Sequence, residues 1–352
     1  MQHRYFAASN SSEGFKSYYK EIFEETDRLY VIKGGPGTGK SSLMKRVAAE
    51  AEREGFEVEY YYCSSDPTSL DGILMSTTIG KIGMVDGTYP HVWEPTYSGV
   101  KEEIVNLGEF WDSRALREQK NEIFSLSNKK STAFKRAYSY LRSCGNLRAV
   151  TDSLLRKATD FEKLQSAAER LARSLDFDEG EFSNAPALVS AVSMQGRVRF
   201  DTIEENSKKI WRVGDFYGVG QWFFDAFIGS LHKYESRARI SYDCIEPRYC
   251  DGVFLEDKRL GFVLSRDKGE DNDGESERFI NPKRFVRTER IREIRGELRY
   301  ASKLYSECLD GALHALGEVK VYHFLLEDIY RHTMDFAALT DYSRHLIKKI
   351  FQ

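Results

Sequence analysis

The chain has 352 residues, which is more than one ordinary hydrophobic core holds and predicts roughly two domains. Of these residues 41% are hydrophobic and 30% are charged, and the formal net charge is −3. This balance excludes a general attraction for nucleic acid or for an anionic membrane. No apolar run is long enough to cross a bilayer, and the five cysteines form no Cys-x-x-Cys pair. We therefore expect a protein of the reducing cytoplasm, without disulfides or zinc.

The first part of the chain alternates strand and helix patterns. A short apolar run at residues 29–33 predicts a buried strand, and a glycine-rich turn follows it. Residues 41–54 carry apolar side chains on one helical face and are followed by a glycine, which predicts a helix. Two further strands are predicted at residues 58–63 and 81–85. This order predicts the α/β class, with a sheet that is at least partly parallel.

A helical insertion is predicted after these strands. Apolar residues recur every three or four positions between residues 114 and 175, as they do on the buried faces of helices. The pattern predicts a helical hairpin that projects from the sheet and turns near residues 145–146. Its second helix is expected to carry one apolar stripe from residue 147 to residue 175.

The second half of the chain repeats the first. Residues 66–72 align without gaps with residues 246–252, and residues 105–110 align with residues 280–285 in the same order. Further upstream, residues 29–34 share an apolar pattern with residues 209–214. The chain is therefore expected to hold two tandem P-loop NTPase-like units, residues 1–180 and residues 181–352. The second unit is expected to end in C-terminal helices.

A phosphate-binding loop, or P-loop, is predicted between the first strand and the first helix. The pattern Gly-x-x-x-x-Gly-Lys-Ser/Thr is complete and lies where it must lie to bind phosphate. Glycines let successive backbone N–H groups face one anion, and the helix N-terminus adds positive charge. Lys40 is expected to bind the β- and γ-phosphates, and Ser41 to bind Mg²⁺. The predicted nucleotide-binding residues are Gly34, Gly35, Pro36, Gly37, Thr38, Gly39, Lys40, Ser41 and Ser42.

Two acids compete for the magnesium side of this site. Asp86 ends an apolar strand and is expected to hold Mg²⁺ through water, beside Ser41, or else to form a turn with Gly87. Asp66 follows another strand and either contacts the metal, acts as a base, or caps the turn at Pro67. Many P-loop ATPases that hydrolyse rapidly carry an acid where Gly87 stands, so fast hydrolysis is not expected.

The second unit is expected to have lost this site. Its counterpart loop, residues 214–222, keeps two glycines in step but has Gln221 in place of the lysine and Trp222 in place of the serine. Glutamine supplies no charge, and tryptophan cannot bind magnesium. The acidic stretch at residues 266–278 is expected to be a solvated loop.

Four segments of the first unit, residues 32–45, 63–72, 85–91 and 106–112, resemble a family of bacterial tandem P-loop ATPase-like proteins found in Firmicutes. The resemblance is close over most of the first half and loose over the second. It implies ATP binding at residues 34–41. Members of that family also carry a P-loop in their second half, and this sequence departs from the family there.

Three functions remain open from the sequence. The first is a Mg²⁺-dependent ATPase whose turnover is slow or regulated by a protein partner. The second is a small-molecule or nucleotide kinase, with the phosphate acceptor held by residues 66–72 and 88–95. The third is a nucleotide-gated binding module without catalysis. His91 and Glu94 are candidates for positioning a second substrate, although each is expected to be a solvated surface residue when taken alone. ATP is favoured over GTP by the resemblance and by the absence of an Asn-Lys-x-Asp motif.

Overall fold

The computed structural model describes residues 3–265 and 277–352, and the acidic stretch expected to form a loop lies almost entirely outside them. The first half begins with a strand and a small hairpin, continues into a strand–helix–strand pattern and ends in helices. Its strands are β1 (His3–Phe6), β2 (Ala8–Ser11), β3 (Gly14–Ser17), β4 (Arg28–Lys33), β5 (Glu57–Tyr62), β6 (Leu70–Thr77), β7 (Gly80–Asp86) and β8 (Glu102–Asn106). Its helices are α1 (Tyr19–Phe23), α2 (Lys40–Arg53), α3 (Ser113–Glu118), α4 (Lys120–Arg156) and α5 (Phe161–Arg173).

The second half presents the same kinds of element in the same order, except that its described residues hold no counterpart of α3. Its strands are β9 (Phe182–Pro186), β10 (Ser190–Ser193), β11 (Gly196–Arg199), β12 (Lys209–Gly214), β13 (Ser236–Tyr242), β14 (Cys250–Leu255), β15 (Leu260–Ser265) and β16 (Glu277–Ile280). Its helices are α6 (Thr202–Asn206), α7 (Val219–Leu231), α8 (Thr288–His332) and α9 (Phe336–Phe351).

Each half builds a six-stranded mixed sheet, and the two sheets have the same strand order. The first is β1-β5-β6-β7-β4-β8 and the second is β9-β13-β14-β15-β12-β16. In both sheets the strand that precedes the glycine-rich loop is parallel to its two neighbours, and the two hairpin-connected strands are antiparallel. The expectation of two tandem α/β units with partly parallel sheets is confirmed at this level.

The predicted elements of the first sheet are confirmed to within one residue at each end for β4, α2, β5 and β7. These elements could be predicted because burial gives each of them a regular pattern of apolar residues. Four of the six residues of β4 are buried between layers, and α2 places Leu43, Met44, Val47, Ala48 and Ala51 against the sheet.

Strand β6 is one of the elements that the sequence did not predict, together with β1, β2, β3, β8 and α1. Its second and third residues, Asp71 and Gly72, are a common turn pair, yet both lie in the strand. Gly72 is required there because a Cβ at this position would lie 2.8 Å from Cζ of the fully buried Phe23. The glycine marks a close approach between a helix and the sheet, and not a turn.

The predicted helical hairpin within residues 114–175 is wrong. Helix α4 continues through Gly145 to Arg156, and its antiparallel partner is α8 of the second half. Contacts along the pair run in opposite directions, from Leu126 near Leu326 to Cys144 beside the carbonyl oxygen of Tyr305. A Cβ at Gly145 would lie 2.8 Å from Cβ of Ser12, so this glycine also marks a close approach. We refer to α4 and α8 together as the arm.

The expected single stripe from residue 147 to residue 175 is also interrupted. Helix α4 ends at Arg156, and α5 begins after Asp160, whose carboxylate accepts a hydrogen bond of 3.0 Å from the backbone N–H of Lys163. Apolar spacing continued across this break because both helices bury one face.

The two halves exchange their outer helices. Helix α5 of the first half packs on the second sheet, where Leu164 and Leu171 join the core around Phe227. Helix α9 of the second half packs on the first sheet, where Leu339 and Ile350 join the core formed with α2. A division at residue 180 therefore separates each outer helix from the sheet that it covers.

Candidate functional site

Loop 1, residues 34–39, connects β4 to α2 at the carboxyl edge of the parallel strands. Gly37 and Gly39 have φ angles of 69° and 88°, which glycine adopts without strain. Lys40 is the first residue of α2, and its side chain folds back over the loop. Its ammonium donates to the carbonyl oxygens of Gly34 at 2.9 Å and of Gly35 at 2.7 Å.

Asp86 faces Lys40 from the end of β7, the strand beside β4. Its Oδ2 lies 3.5 Å from Nζ of Lys40, and both side chains are nearly buried. Its Oδ1 accepts hydrogen bonds from the backbone N–H and the hydroxyl of Thr88. Asp86 thus forms the Asx turn that was one alternative for it, and it still directs one oxygen at the lysine.

Ser41 lies one residue further along α2, where its Oγ accepts a hydrogen bond of 2.9 Å from the backbone N–H of Leu70. The adjacent Ser42 lines the same cavity. One lone pair of the Ser41 hydroxyl therefore remains for another partner.

Asp66 is buried in the turn that precedes β6. Its Oδ1 accepts from the backbone N–H and the hydroxyl of Thr68, and its Oδ2 accepts from Ser69 at 2.9 Å. Gln195 of the second half donates to the same carboxylate at 3.4 Å. Both oxygens of Asp66 are thus engaged in holding the turn, which is the structural alternative that the sequence left open for it.

His91 is not a solvated surface residue, and that expectation is wrong. Its side chain is 6% exposed, and its Nε2 lies 3.0 Å from Oδ2 of Asp71, which is 8% exposed. The rings of Phe15 and Tyr19 pack against the imidazole. The Asp71 partner could not be predicted from the sequence, because an Asp-Gly pair is more typical of a turn than of a buried strand.

The protonation of this pair follows from its burial and its charges. Burial by itself lowers the pKa of His91, but the Asp71 carboxylate more than offsets this and raises that pKa above its ordinary value. Burial by itself raises the pKa of Asp71, whereas His91 and, more weakly, Lys40 hold it below its ordinary value. The two groups therefore favour the ion pair. Glu94, by contrast, is exposed and pairs with Lys33 at 3.0 Å.

A cavity of about 1760 Å³ opens beside loop 1. Part of its wall is formed by loop 1, Asp66, Asp71, Asp86 and His91, and another part by residues of both arm helices. Loop 1 also touches α8 directly, because a Cβ at Gly37 would lie 2.6 Å from the carbonyl oxygen of Glu327. Helix α8 of the arm and loop 1 are therefore in contact even though they come from different halves.

The oxygen atoms in this cavity suit a hard cation that keeps most of its water. Within the described part of the chain, no group of three or more His, Cys, Asp or Glu side chains is arranged to hold a metal. Ser41 Oγ, from the residue after Lys40, and Asp86 Oδ2, which is 3.5 Å from Nζ of Lys40, are instead two separate oxygens that line the cavity. Mg²⁺ is commonly held by one or two protein oxygens together with substrate phosphates and water, so this donor set fits Mg²⁺.

Comparisons with known proteins find one partial match. Residues 12–85 match the family model described as nephrocystin 3, N-terminal. The matched stretch includes β4, loop 1, α2 and the strands from β5 to nearly the end of β7. No curated protein and no solved structure matches the chain. Over residues 3–265 and 277–352, no helix combines the length and the apolar content that a membrane crossing requires.

Loop 2, residues 215–218, is the equivalent connection in the second half and is two residues shorter than loop 1. Strand pairing shows which residues of the two halves are equivalent. Ile32 of β4 pairs with Val105 of β8, and Val213 of β12 pairs with Ile280 of β16, so Val213 is the counterpart of Ile32. The sequence alignment of residues 29–34 with 209–214 is therefore shifted by one residue. On the neighbouring strand, Ile32 pairs with Asp86 of β7, whereas Val213 pairs with Leu264 of β15. Leu264 therefore stands where the first half has Asp86. The second site thus lacks the acid as well.

The helix that follows loop 2 begins after Gly218, which has the left-handed conformation of Gly39. Counted from these glycines, Val219 replaces Lys40, and Gln221 lies two residues further on. The pairing of Gln221 with the lysine is corrected accordingly. The side chain of Arg148, from α4, occupies the space over loop 2, where a Cβ at Gly218 would overlap its guanidinium.

Proposed function

We propose that the protein binds a nucleoside triphosphate, as Mg·ATP, at loop 1 and hydrolyses it slowly or under the control of a partner. One observation carries the proposal: Lys40 and Asp86 meet at 3.5 Å over a glycine-rich loop that joins a central parallel strand to a helix N-terminus. Ligands of open α/β sheets bind at this edge, beyond the carboxyl ends of the strands. The glycines, the helix dipole and the lysine all favour a polyphosphate there.

Lys40 has to exchange partners for this to occur. In the free protein its ammonium is held by the carbonyl oxygens of Gly34 and Gly35. A phosphate oxygen is a stronger acceptor than a neutral carbonyl because it is charged. We infer that triphosphate binding draws Lys40 away from the loop carbonyls and leaves the loop N–H groups to face the phosphates.

Ser41 and Asp86 would hold the magnesium ion, Ser41 directly and Asp86 through water. When bound, Mg²⁺ neutralises charge on the β- and γ-phosphates and makes the terminal phosphoryl group easier to transfer. Asp86 also helps to orient Lys40 between strand and loop.

Slow turnover is supported by the acids around loop 1. Residue 87 is glycine, and it lies so close to Val31 that a Cβ would overlap that side chain. The nearby carboxylate of Asp66 has both oxygens engaged in its turn. No acid of this wall is thus free to orient an attacking water, which removes one common contribution to fast hydrolysis.

Phosphoryl transfer to a small acceptor is the second candidate function. Small-molecule sites commonly enclose roughly 300–1,000 Å³, and this cavity is larger at about 1760 Å³. It therefore has room for a nucleotide and a second molecule. The buried pair His91–Asp71 lines the same cavity, and its charged imidazolium is suited to hold an acceptor in place. A kinase would use His91 to position its acceptor.

The direct test is to incubate the pure protein with Mg·ATP and measure ADP and inorganic phosphate. Steady phosphate release without acceptor supports the ATPase, whereas ADP that forms only after a metabolite pool is added supports the kinase. Binding without either product supports the nucleotide-gated module. The Lys40→Ala variant is the control for contaminating enzymes. If the wild-type protein neither binds nor turns over ATP or GTP, the proposal is wrong.

We also propose that the chain is related to the tandem P-loop ATPase-like family that its first half resembles, and that it prefers ATP. A cytoplasmic location is supported by the five cysteines, all of which are free thiols.

A further inference from the structure

Lys130, in the middle of α4, lines the same cavity as Lys40 although it belongs to the arm. Ser127, Ser131, Phe134 and Tyr138 line the cavity with it, which is the spacing of one helical face. Lys130 is half-buried, whereas two other cations of this wall, Lys135 and Arg331, are exposed. The arm thus presents one sheltered positive charge to the cavity.

This charge has no acidic partner within the described part of the chain. Nζ of Lys130 lies 3.5 Å from Nδ1 of His323. The carboxylates in reach of the cavity have other contacts: Asp86 with Thr88 and Lys40, and Glu327 with His323 at 3.5 Å. Burial is the main effect and lowers the pKa of Lys130; Cys63 and Glu327 offset it in part, and the positive charge of Lys40 lowers the pKa further. An anion between the two ammonium groups would relieve both effects.

We propose that Lys130 binds the terminal phosphate of the triphosphate held by loop 1, so that the arm distinguishes triphosphate from diphosphate. The inference rests on the proposed function and adds the identity of the anion. In a P-loop the lysine contacts the β- and γ-phosphates, and the γ-phosphate is the one that extends beyond it into the cavity. Lys130 lines the same cavity from the arm and is near enough to Lys40 for the two charges to repel each other, so it is suited to meet that group.

The contact would link the nucleotide to both arm helices. His323 touches Lys130 on one side and Glu327 on the other. The backbone of Glu327 in turn packs against Gly37 of loop 1. Loss of the γ-phosphate would remove the anion that holds Lys130 towards the loop, and the arm would be released from one of its attachments to the first sheet.

The experiment compares binding of ADP and of the β,γ-methylene analogue of ATP, each with Mg²⁺, by isothermal titration calorimetry. For Lys130→Met we expect roughly 10- to 100-fold weaker binding of the analogue, the effect of losing one charge-assisted contact, and unchanged binding of ADP. Lys130→Arg keeps the charge and should retain the preference for the analogue. Lys129→Met is the matched control, since it removes the same charge from an exposed neighbour on the same helix.

Each other result has a distinct meaning. If Lys130→Met weakens both ligands equally, the residue acts on the fold or on the inner phosphates, and the inference is wrong while nucleotide binding stands. If neither ligand is affected, Lys130 serves another anion, such as the phosphate of an acceptor, and the inference is again wrong. If the wild-type protein binds neither ligand, the proposed function fails first. Thermal unfolding of each variant checks that it is folded.

Discussion

Arg148 of the first half donates a hydrogen bond of 2.6 Å from its Nη1 to Oε1 of Gln221 in the second half. The same guanidinium pairs through Nε with Asp152 at 2.8 Å and stacks over the ring of Tyr249. Loop 2 is therefore filled by a cation of the protein itself. In the second half, the position equivalent to loop 1 thus holds a buried connection between the halves.

Removal of this cation should destabilise the fold. Arg148→Met would leave the buried Asp152 without its closest charged partner, and the loss of one member of a buried pair costs about 3–5 kcal/mol. Urea unfolding monitored by tryptophan fluorescence measures the change in the free energy of unfolding. Arg142→Met, at an exposed position of the same helix, should change it little. Equal stability of the two variants would contradict a structural role for Arg148.

Lys40 and Gln221 should differ sharply in their effect on nucleotide binding. Lys40→Ala removes a charge-assisted contact worth about 1.5–3 kcal/mol, which corresponds to roughly 10- to 150-fold weaker binding of Mg·ATP. Gln221→Ala should leave the affinity unchanged, because loop 2 is occupied by Arg148. Calorimetric titration of both variants tests this. A large loss of affinity in Gln221→Ala would contradict the assignment of loop 2 as a lost site.

The pair His91–Asp71 should make stability depend on pH in two windows. The pKa of His91 is raised on folding, so its contribution is complete below the pKa of an unfolded histidine, about 6.5, and is lost as pH rises through the higher folded value. The pKa of Asp71 is lowered, so its contribution is present above about 3.9 and is lost as pH falls through the lower folded value.

NMR titration of the His91 ring protons measures the first effect directly. In Asp71→Asn the carboxylate is absent and burial remains, so the pKa of His91 should fall below its wild-type value. The exposed His314 serves as the internal reference in the same spectra. An unchanged pKa of His91 in that variant would contradict the ion pair.

Gly72→Ala should be costly although it adds only a methyl group. The new Cβ would lie 2.8 Å from Phe23, which is fully buried and cannot withdraw, and overpacking of this kind costs about 1–3 kcal/mol. Gly229→Ala is the control, because that glycine lies within α7 and has no atom within 4 Å of its Cβ position. Chemical denaturation should show destabilisation only in Gly72→Ala.

Features encoded by neighbouring residues could be predicted from the sequence. The strand at residues 29–33, loop 1 and helix α2 depend on local apolar spacing and on glycine placement, and the structure has them within one residue. Errors arose where a residue serves a distant partner. Gly72 and Gly145 resembled turn glycines. Glycine is needed at these positions because of close contacts with Phe23 and Ser12, which are remote in sequence.

The candidate site divides in the same way. Lys40 and Asp86 could be proposed from motif and strand position, and they lie 3.5 Å apart. The pair His91–Asp71 and the arm wall with Lys130 could not, because they depend on which helix faces loop 1. The repeat indicated two similar units, but it carried no information on the exchange of α5 and α9.

The exchange of outer helices has a consequence for synthesis on the ribosome. Strands β1 to β8 are made early, but the helix that covers one face of their sheet, Phe336–Phe351, is made only after every strand of the second half. The apolar surface around Leu43 and Val47 therefore stays partly bare until residues 336–351 have left the ribosome. The amino-terminal half is made before the second half, but its core is completed only after it.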